Sequence, residues 1–150
     1  MPTLTRYWIK AGFINFVSAL ILAVLIPLSS VIEMPSFMPA MLPVYFHVFL
    51  VGWITQIIMG VSFWMFPPMS RVNPRGAEIL GWASFFCINT GLILRVIGEP
   101  LLFLDPVSAG KWMLIVSALL QWVGGILYLV HIWERVKGKQ VPSTGTIKIL

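Results

Sequence analysis

The chain has 150 residues, of which 59% are hydrophobic and 10% charged, and its mean hydropathy is +0.93. One soluble core of this length cannot hide that much apolar surface, which excludes an ordinary cytoplasmic enzyme and a disordered protein. The single cysteine, Cys87, excludes an internal disulfide, and its place in an apolar run makes it a small core residue. The net charge is +5, and the positions of the basic residues decide what that charge means.

Four segments are apolar enough, over about 20 residues, to cross a bilayer. In chain order they are residues 11–32, 41–66, 77–97 and 112–133. None alternates polar with apolar as a barrel strand would, so the expected fold is all-α, an integral membrane four-helix bundle. Prolines punctuate the connections. Pro35, Pro39 and Pro43 crowd the first, Pro67-Pro68 and Asn73-Pro74 mark the second, and Pro100 and Pro106 bracket the third. Proline removes a donor and clashes with a continuing helix, so each cluster is expected at a helix end. Residues 1–137 form one four-span domain, and 138–150 read as a polar cytoplasmic tail. The first span is too long for a cleaved signal, and no small-x-small site follows it.

Arg6, Lys10, Arg71, Arg75, Arg135, Lys137, Lys139 and Lys148 all fall on one side of this arrangement, with only Lys111 opposite. That bias places both termini in the cytoplasm, as expected of a prokaryotic inner membrane protein. It also accounts for the basic excess through the acidic inner leaflet, so nucleic acid is not implied. Tyr7, Trp8, Tyr45, Trp64, Trp112 and Trp133 lie near span ends as an aromatic belt.

Polar residues within spans are costly and therefore informative. They are Asn15, His47, Gln56, Asn89, Arg95, Gln121 and His131. His47 and Arg95 fall at similar height in the outer leaflet, roughly 10 Å from the midplane at about 1.5 Å per residue. His131 lies toward the inside, so the two histidines cannot share one metal. Beside Trp133, Glu134 and Arg135, it reads as a half-wet histidine without a catalytic role. Gly52, Gln56 and Gly60 form a small-xxx-small packing stripe on the second span. On a 100° wheel, Val51, Ile54, Ile58, Ser62 and Met65 share the face of His47.

From chemistry alone, His47 is either a hydrogen-bonded structural residue or a metal or heme ligand. Arg95 never loses its proton, so its burial demands an anion: Glu99 one turn on, or a cofactor carboxylate. Met34, Met38 and Met41, close to His47 in sequence, are either apolar filler or thioether donors for copper. There is no zinc spacing, nucleophile elbow, P-loop or intramembrane carboxylate pair.

Residues 47–75 carry a family resemblance. His47, Gly52-Trp53, Gly60, Trp64-Met65-Phe66-Pro67 and Asn73-Pro74-Arg75 resemble helix two and the following loop of heme–copper oxidase and nitric oxide reductase catalytic subunits. In that family a histidine near the outer end of helix two is an axial ligand of the low-spin heme. The third span, with Trp82, Asn89 and LRVIGEP, is compatible with the same pattern. The resemblance covers about four of roughly twelve helices. The later helices, with the copper ligands and the other axial histidine, are missing, so a complete oxidase or reductase activity is not implied.

What the resemblance implies is His47 as a ligand of heme b iron. Arg95 then faces a propionate. The family pattern does not give the second axial position, which falls to Met113, to a second protomer's own His47 across a two-fold axis, or stays open, as would suit gas binding. The expected function is a membrane b-type heme protein for electron transfer, linked to quinone or another electron-transfer partner, or for sensing a diatomic gas. A heme-free accessory subunit of a larger respiratory complex, docked through the Gly52/Gln56/Gly60 stripe, and a copper-handling protein are the competing expectations.

Overall fold

A computed structural model describes residues 1–68, 76–105 and 109–136. Arg71, Asn73, Pro74, Arg75, Pro106, Ser108 and the 138–150 tail, named above or used below, lie outside these residues, as do Lys137, Lys139 and Lys148. The described residues form helices and no strand. We label them α1 (Thr3–Leu28), α2 (Met38–Met65), α3 (Glu78–Leu104) and α4 (Gly110–Val136). All four are long and apolar enough to cross a membrane.

The helix bounds differ from the sequence reading for physical reasons. Helix α1 begins at Thr3 rather than near residue 11, because Pro2 sits at its N-cap and nothing from Thr3 to Lys10 breaks a helix. It stops just after Pro27, where the hydroxyls of Ser29 and Ser30 turn back onto the carbonyls of Ile26 and Pro27. The sequence reading ended the third span before Pro100, but α3 continues through Pro100 to Leu104. A lone proline removes one donor, and membrane helices tolerate that loss where neighbours supply packing.

Helix α2 is not uniform. A 3₁₀ turn at Met38–Met41 leads into an α-helical turn at Leu42–His47, then a π-helical stretch at Val48–Thr55, then α-helix again from Gln56 to Met65. In the π stretch the ladder spans five residues instead of four. The Thr55 hydroxyl donates to the Leu50 carbonyl, 2.9 Å away and five residues back. This widening ends the simple 100° wheel. Of the residues placed on the face of His47, Ile58 and Met65 are exposed while the Ser62 hydroxyl turns inward to Tyr128.

Two tight seams hold the bundle. In the first, α1 lies on the glycine stripe of α2. A methyl group built at Gly52 would lie 2.7 Å from the Asn15 carboxamide, and one at Gly60 would lie 2.8 Å from the Trp8 Cβ. Gln56, fully buried between them, exchanges two hydrogen bonds with Asn89 of α3 (3.1 and 3.3 Å). The packing reading of Gly52, Gln56 and Gly60 is therefore right. The stripe is also consumed inside the chain, which removes it as a docking face for a larger complex.

The second seam joins α3 to α4. Ser84 donates to the Gly124 carbonyl at 2.7 Å, Ser117 donates to the Gly91 carbonyl at 2.6 Å, and a methyl group on Gly110 would meet the Gly98 carbonyl at 3.0 Å. Ser84, Gly91 and Gly98 recur every seven residues, as do Gly110, Ser117 and Gly124, so antiparallel helices meet at three rungs. Small residues let the backbones approach, and each serine finds a carbonyl on the facing helix.

The end of the bundle that holds the N-terminus is aromatic. Trp8 meets Phe85 edge to face at 5.0 Å, and Tyr7 meets Trp82 at 5.4 Å. The opposite end packs Ala19, Met41, Val44 and Val48.

Candidate functional site

His47 is the last residue before the π-helical stretch. Pro43, four residues earlier, opens the same helical segment, and the imidazole bends back to it. His47 Nδ1 lies 2.9 Å from the Pro43 carbonyl oxygen. A carbonyl only accepts, so Nδ1 carries a proton, and in the neutral ring Nε2 is the nitrogen with the lone pair. That is the state in which a histidine ligates a metal, with the second nitrogen fixing tautomer and ring orientation. The ring is half-buried, and Nε2 has no hydrogen-bond partner among the described residues. On either side of it, Phe46 and Leu50 are about half exposed, at 49% and 50%. Along the same helix Tyr45 stacks on Phe49 at 5.8 Å, and Phe49 meets Trp53 edge to face at 5.1 Å. Tyr45 and Phe49 turn away from His47 and pack against the Ala19, Met41, Val44 and Val48 cluster, so the imidazole's own neighbours are Phe46 and Leu50.

Arg95 lies two turns beyond the buried Ile88 on the inward face of α3. Its Nη2 pairs with Glu99 at 3.1 Å, and the two side chains are 19% and 13% exposed. Its Nε is buried and has no hydrogen-bond partner. The intrahelical carboxylate accounts for the buried cation without any cofactor. No contact recorded among the described residues joins Arg95 to His47. Met113 backs onto Gly98 at the α3–α4 seam, where a built Cβ would lie 3.3 Å from its own Cβ. The geometry therefore gathers neither Arg95 nor Met113 around the imidazole.

The methionines around the connection between α1 and α2 are divided. Met41 is buried in the outer core with Val44 and Val48, and Met38 packs against that cluster. Among the described residues no group of three histidine, cysteine or carboxylate side chains is placed to hold a metal ion.

The second histidine departs from its sequence reading. His131 is 4% exposed, stacked on Phe63 at 5.1 Å with a 17° interplanar angle, and its Nε2 has no partner. It is a core histidine rather than a half-wet one. Phe63 lies 16 residues after His47, which separates the two histidines by about 24 Å along α2. One chain cannot place both on one metal.

Arg135 was expected only as a topological charge. It is instead 5% exposed and folds onto the end of α2. Nη1 donates to the Phe63 carbonyl (3.0 Å), Nη2 to Phe66 (2.6 Å) and Nε to Pro67 (3.2 Å). The guanidinium also lies 5.5 Å from the Phe63 ring centre. The last carbonyls of a helix lack partners, and the following Pro67-Pro68 offer no N–H to the turn. Nothing local in sequence signals this cap, because its two halves are about seventy residues apart.

The chain matches no protein-family model, no curated protein and no solved structure, so its functional reading rests on the residues themselves and on the resemblance around His47.

Proposed function

We propose that the protein is a membrane b-type heme protein in which His47 is an axial ligand near the outer face. The single observation that carries this is the Nδ1–Pro43 hydrogen bond, which turns Nε2 of the half-buried ring outward as the nitrogen open to a metal. A bound heme supplies a one-electron redox centre or a gas-binding iron. The chain's own contribution is to fix the ring's tautomer and its angle, and to surround it with apolar and aromatic side chains that keep water away. His131 is at the other end of the bundle, and Met113 is engaged at the α3–α4 seam. The remaining strong ligand is the partner subunit's His47, in a two-fold dimer that brings each residue to its own copy.

A second reading has one observation in its favour. Arg95 already has Glu99, so no propionate is needed to explain its burial, which suits a heme-free accessory subunit. The absorption spectrum of the purified protein separates the readings. A Soret band with about one heme per two polypeptides supports the shared site. One heme per polypeptide that binds carbon monoxide on reduction keeps the heme and removes the dimer. A colourless protein favours the accessory subunit, and a colourless protein that holds copper favours the methionine-rich loop.

The orientation belongs to the same proposal. With the basic loops in the cytoplasm, the short connection after α1 faces outward. In a Cys87→Ala background, Ser36→Cys and Ser108→Cys should react with an impermeant thiol reagent on intact cells, and Ser143→Cys should not. The reverse pattern would invert the topology and put His47 in the cytoplasmic half.

A further inference from the structure

Three carboxamides converge near the middle of the bilayer, one each from α1, α2 and α3, and heme ligation uses none of them. Gln56 and Asn89 satisfy each other. Asn15 is different. Its Nδ2 donates to the Ala11 carbonyl at 2.9 Å, and its carboxamide leans on the bare Cα of Gly52. Among the described residues it makes no hydrogen bond to another helix. An amide left partly unpaired in hydrocarbon is costly, and the surroundings of Asn15 show what can complete it.

Helices α1 and α3 touch at the inner end through Tyr7, Trp8, Trp82 and Phe85, and they part toward the outside. The gap holds two adjoining cavities of about 290 and 280 Å³, both bounded by Asn15 and Val96. Asn89 lines the deeper one, while Met41, Val44 and Val48 of α2 floor the outer one. Along α1 the groove runs from Ala11 to Leu22, about 16 Å at 1.5 Å per residue, or roughly one leaflet. It is therefore a half-membrane slot, apolar along its walls, with carboxamides at its deep end and aromatic rings closing it off.

That polarity selects the occupant. A phospholipid acyl chain entering from the outer leaflet would bring its least polar end to the amides. A transmembrane helix needs a seam about 30 Å long, twice the length available. A lipid-soluble quinone or quinol fits both constraints, because its ring carries oxygens and its isoprenoid tail is hydrocarbon. The Asn15 carboxamide can donate to a quinone carbonyl or accept from a quinol hydroxyl, so either redox form is held. Taken together, the two compartments lie in the size range of small-molecule sites. We propose that this groove is a quinone/quinol-binding site with the ring at Asn15 and Asn89. The site extends the electron-transfer reading, since Val44 and Val48 flank His47 on α2. Binding itself depends only on the groove and is tested without heme.

The test uses the full chain in quinone-free phosphatidylcholine nanodiscs, titrated with a short-chain benzoquinone and read by tryptophan quenching. Wild type and His47→Ala should bind saturably and alike, so a failure of the heme reading leaves this result untouched. Asn15→Leu should weaken binding about tenfold, the effect of one hydrogen bond lost in a dry site. Val96→Trp fills the groove and should abolish saturation. Val24→Trp, on the exposed outer face of α1, should not change it. Thermal melting of each variant verifies that it is folded, and the milder Val96→Leu replaces any variant that is not. Non-saturable quenching that is equal in all variants would overturn the proposal. So would complete displacement by a long-chain alkane, which would make the groove an acyl-chain slot.

Discussion

Arg135→Leu is expected to destabilise the bundle by about 3 kcal/mol, because charge-assisted hydrogen bonds contribute roughly 1.5–3 kcal/mol each and three are lost together. Solvent holds the loss near the value of one or two such bonds. Pro67 is exposed and Phe66 half-buried, so water can reach two of the carbonyls once the guanidinium is gone. The Phe63 carbonyl accepts its hydrogen bond at a buried site and has no such relief. Arg135→Lys should recover less than half of the loss. An ammonium is a point charge and cannot reach three carbonyls as a planar fork does. Thermal unfolding in a mild detergent reads both variants. A Lys variant as stable as wild type would show that charge alone matters here and that the three-carbonyl cap does not.

The second large effect is steric. Gly60→Leu should separate α1 from α2, because even its Cβ would stand 2.8 Å from the Trp8 Cβ. Trp8 cannot yield easily. It is fully buried and braced against Phe85 at 5.0 Å. Overpacking a rigid site costs about 1–3 kcal/mol, and a leucine placed against a backbone-proximal atom belongs at or above the top of that range. Gly125→Leu is the matched control, since nothing lies within 4 Å of a methyl group built there. Gly60→Leu should lower the melting temperature clearly and Gly125→Leu hardly at all. Equal effects would mean that helix propensity, not the α1–α2 seam, sets the cost.

The four spans were legible because a run of about 20 apolar residues has few other uses. Their ends were less so. Pro100 reads as a breaker, yet α3 passes through it because the seam to Gly110 continues beyond. The α3–α4 seam was readable and was missed. Serine and glycine recur every seven residues at positions 84, 91 and 98 and again at 110, 117 and 124, and small residues at that spacing are a packing signal. The π-helical stretch had no such signal. Val48–Thr55 is ordinary in composition, and the wider turn shows only in its hydrogen bonds.

Among the candidate site residues, His47 was singled out by the pattern around it. The carbonyl that locks it comes from Pro43, four residues earlier, a spacing present in the sequence. Arg95 was assigned two candidate anions, and the nearer one, Glu99, is the one it meets. Arg135 and His131 were misread because each is buried by residues far along the chain. No local pattern says that a basic residue near a membrane edge folds back onto another helix.

Heme content per polypeptide, measured as the pyridine hemochrome in wild type, His47→Ala and His131→Ala, tests the central claim most directly. His47→Ala should contain essentially no heme, because the imidazole locked by Pro43 is the proposed ligand. It should remain folded, since the ring is half-buried and packs in no core cluster. His131→Ala should keep its heme, at a ratio near one per two chains. A His47→Ala protein with a full, unshifted heme spectrum would contradict the account.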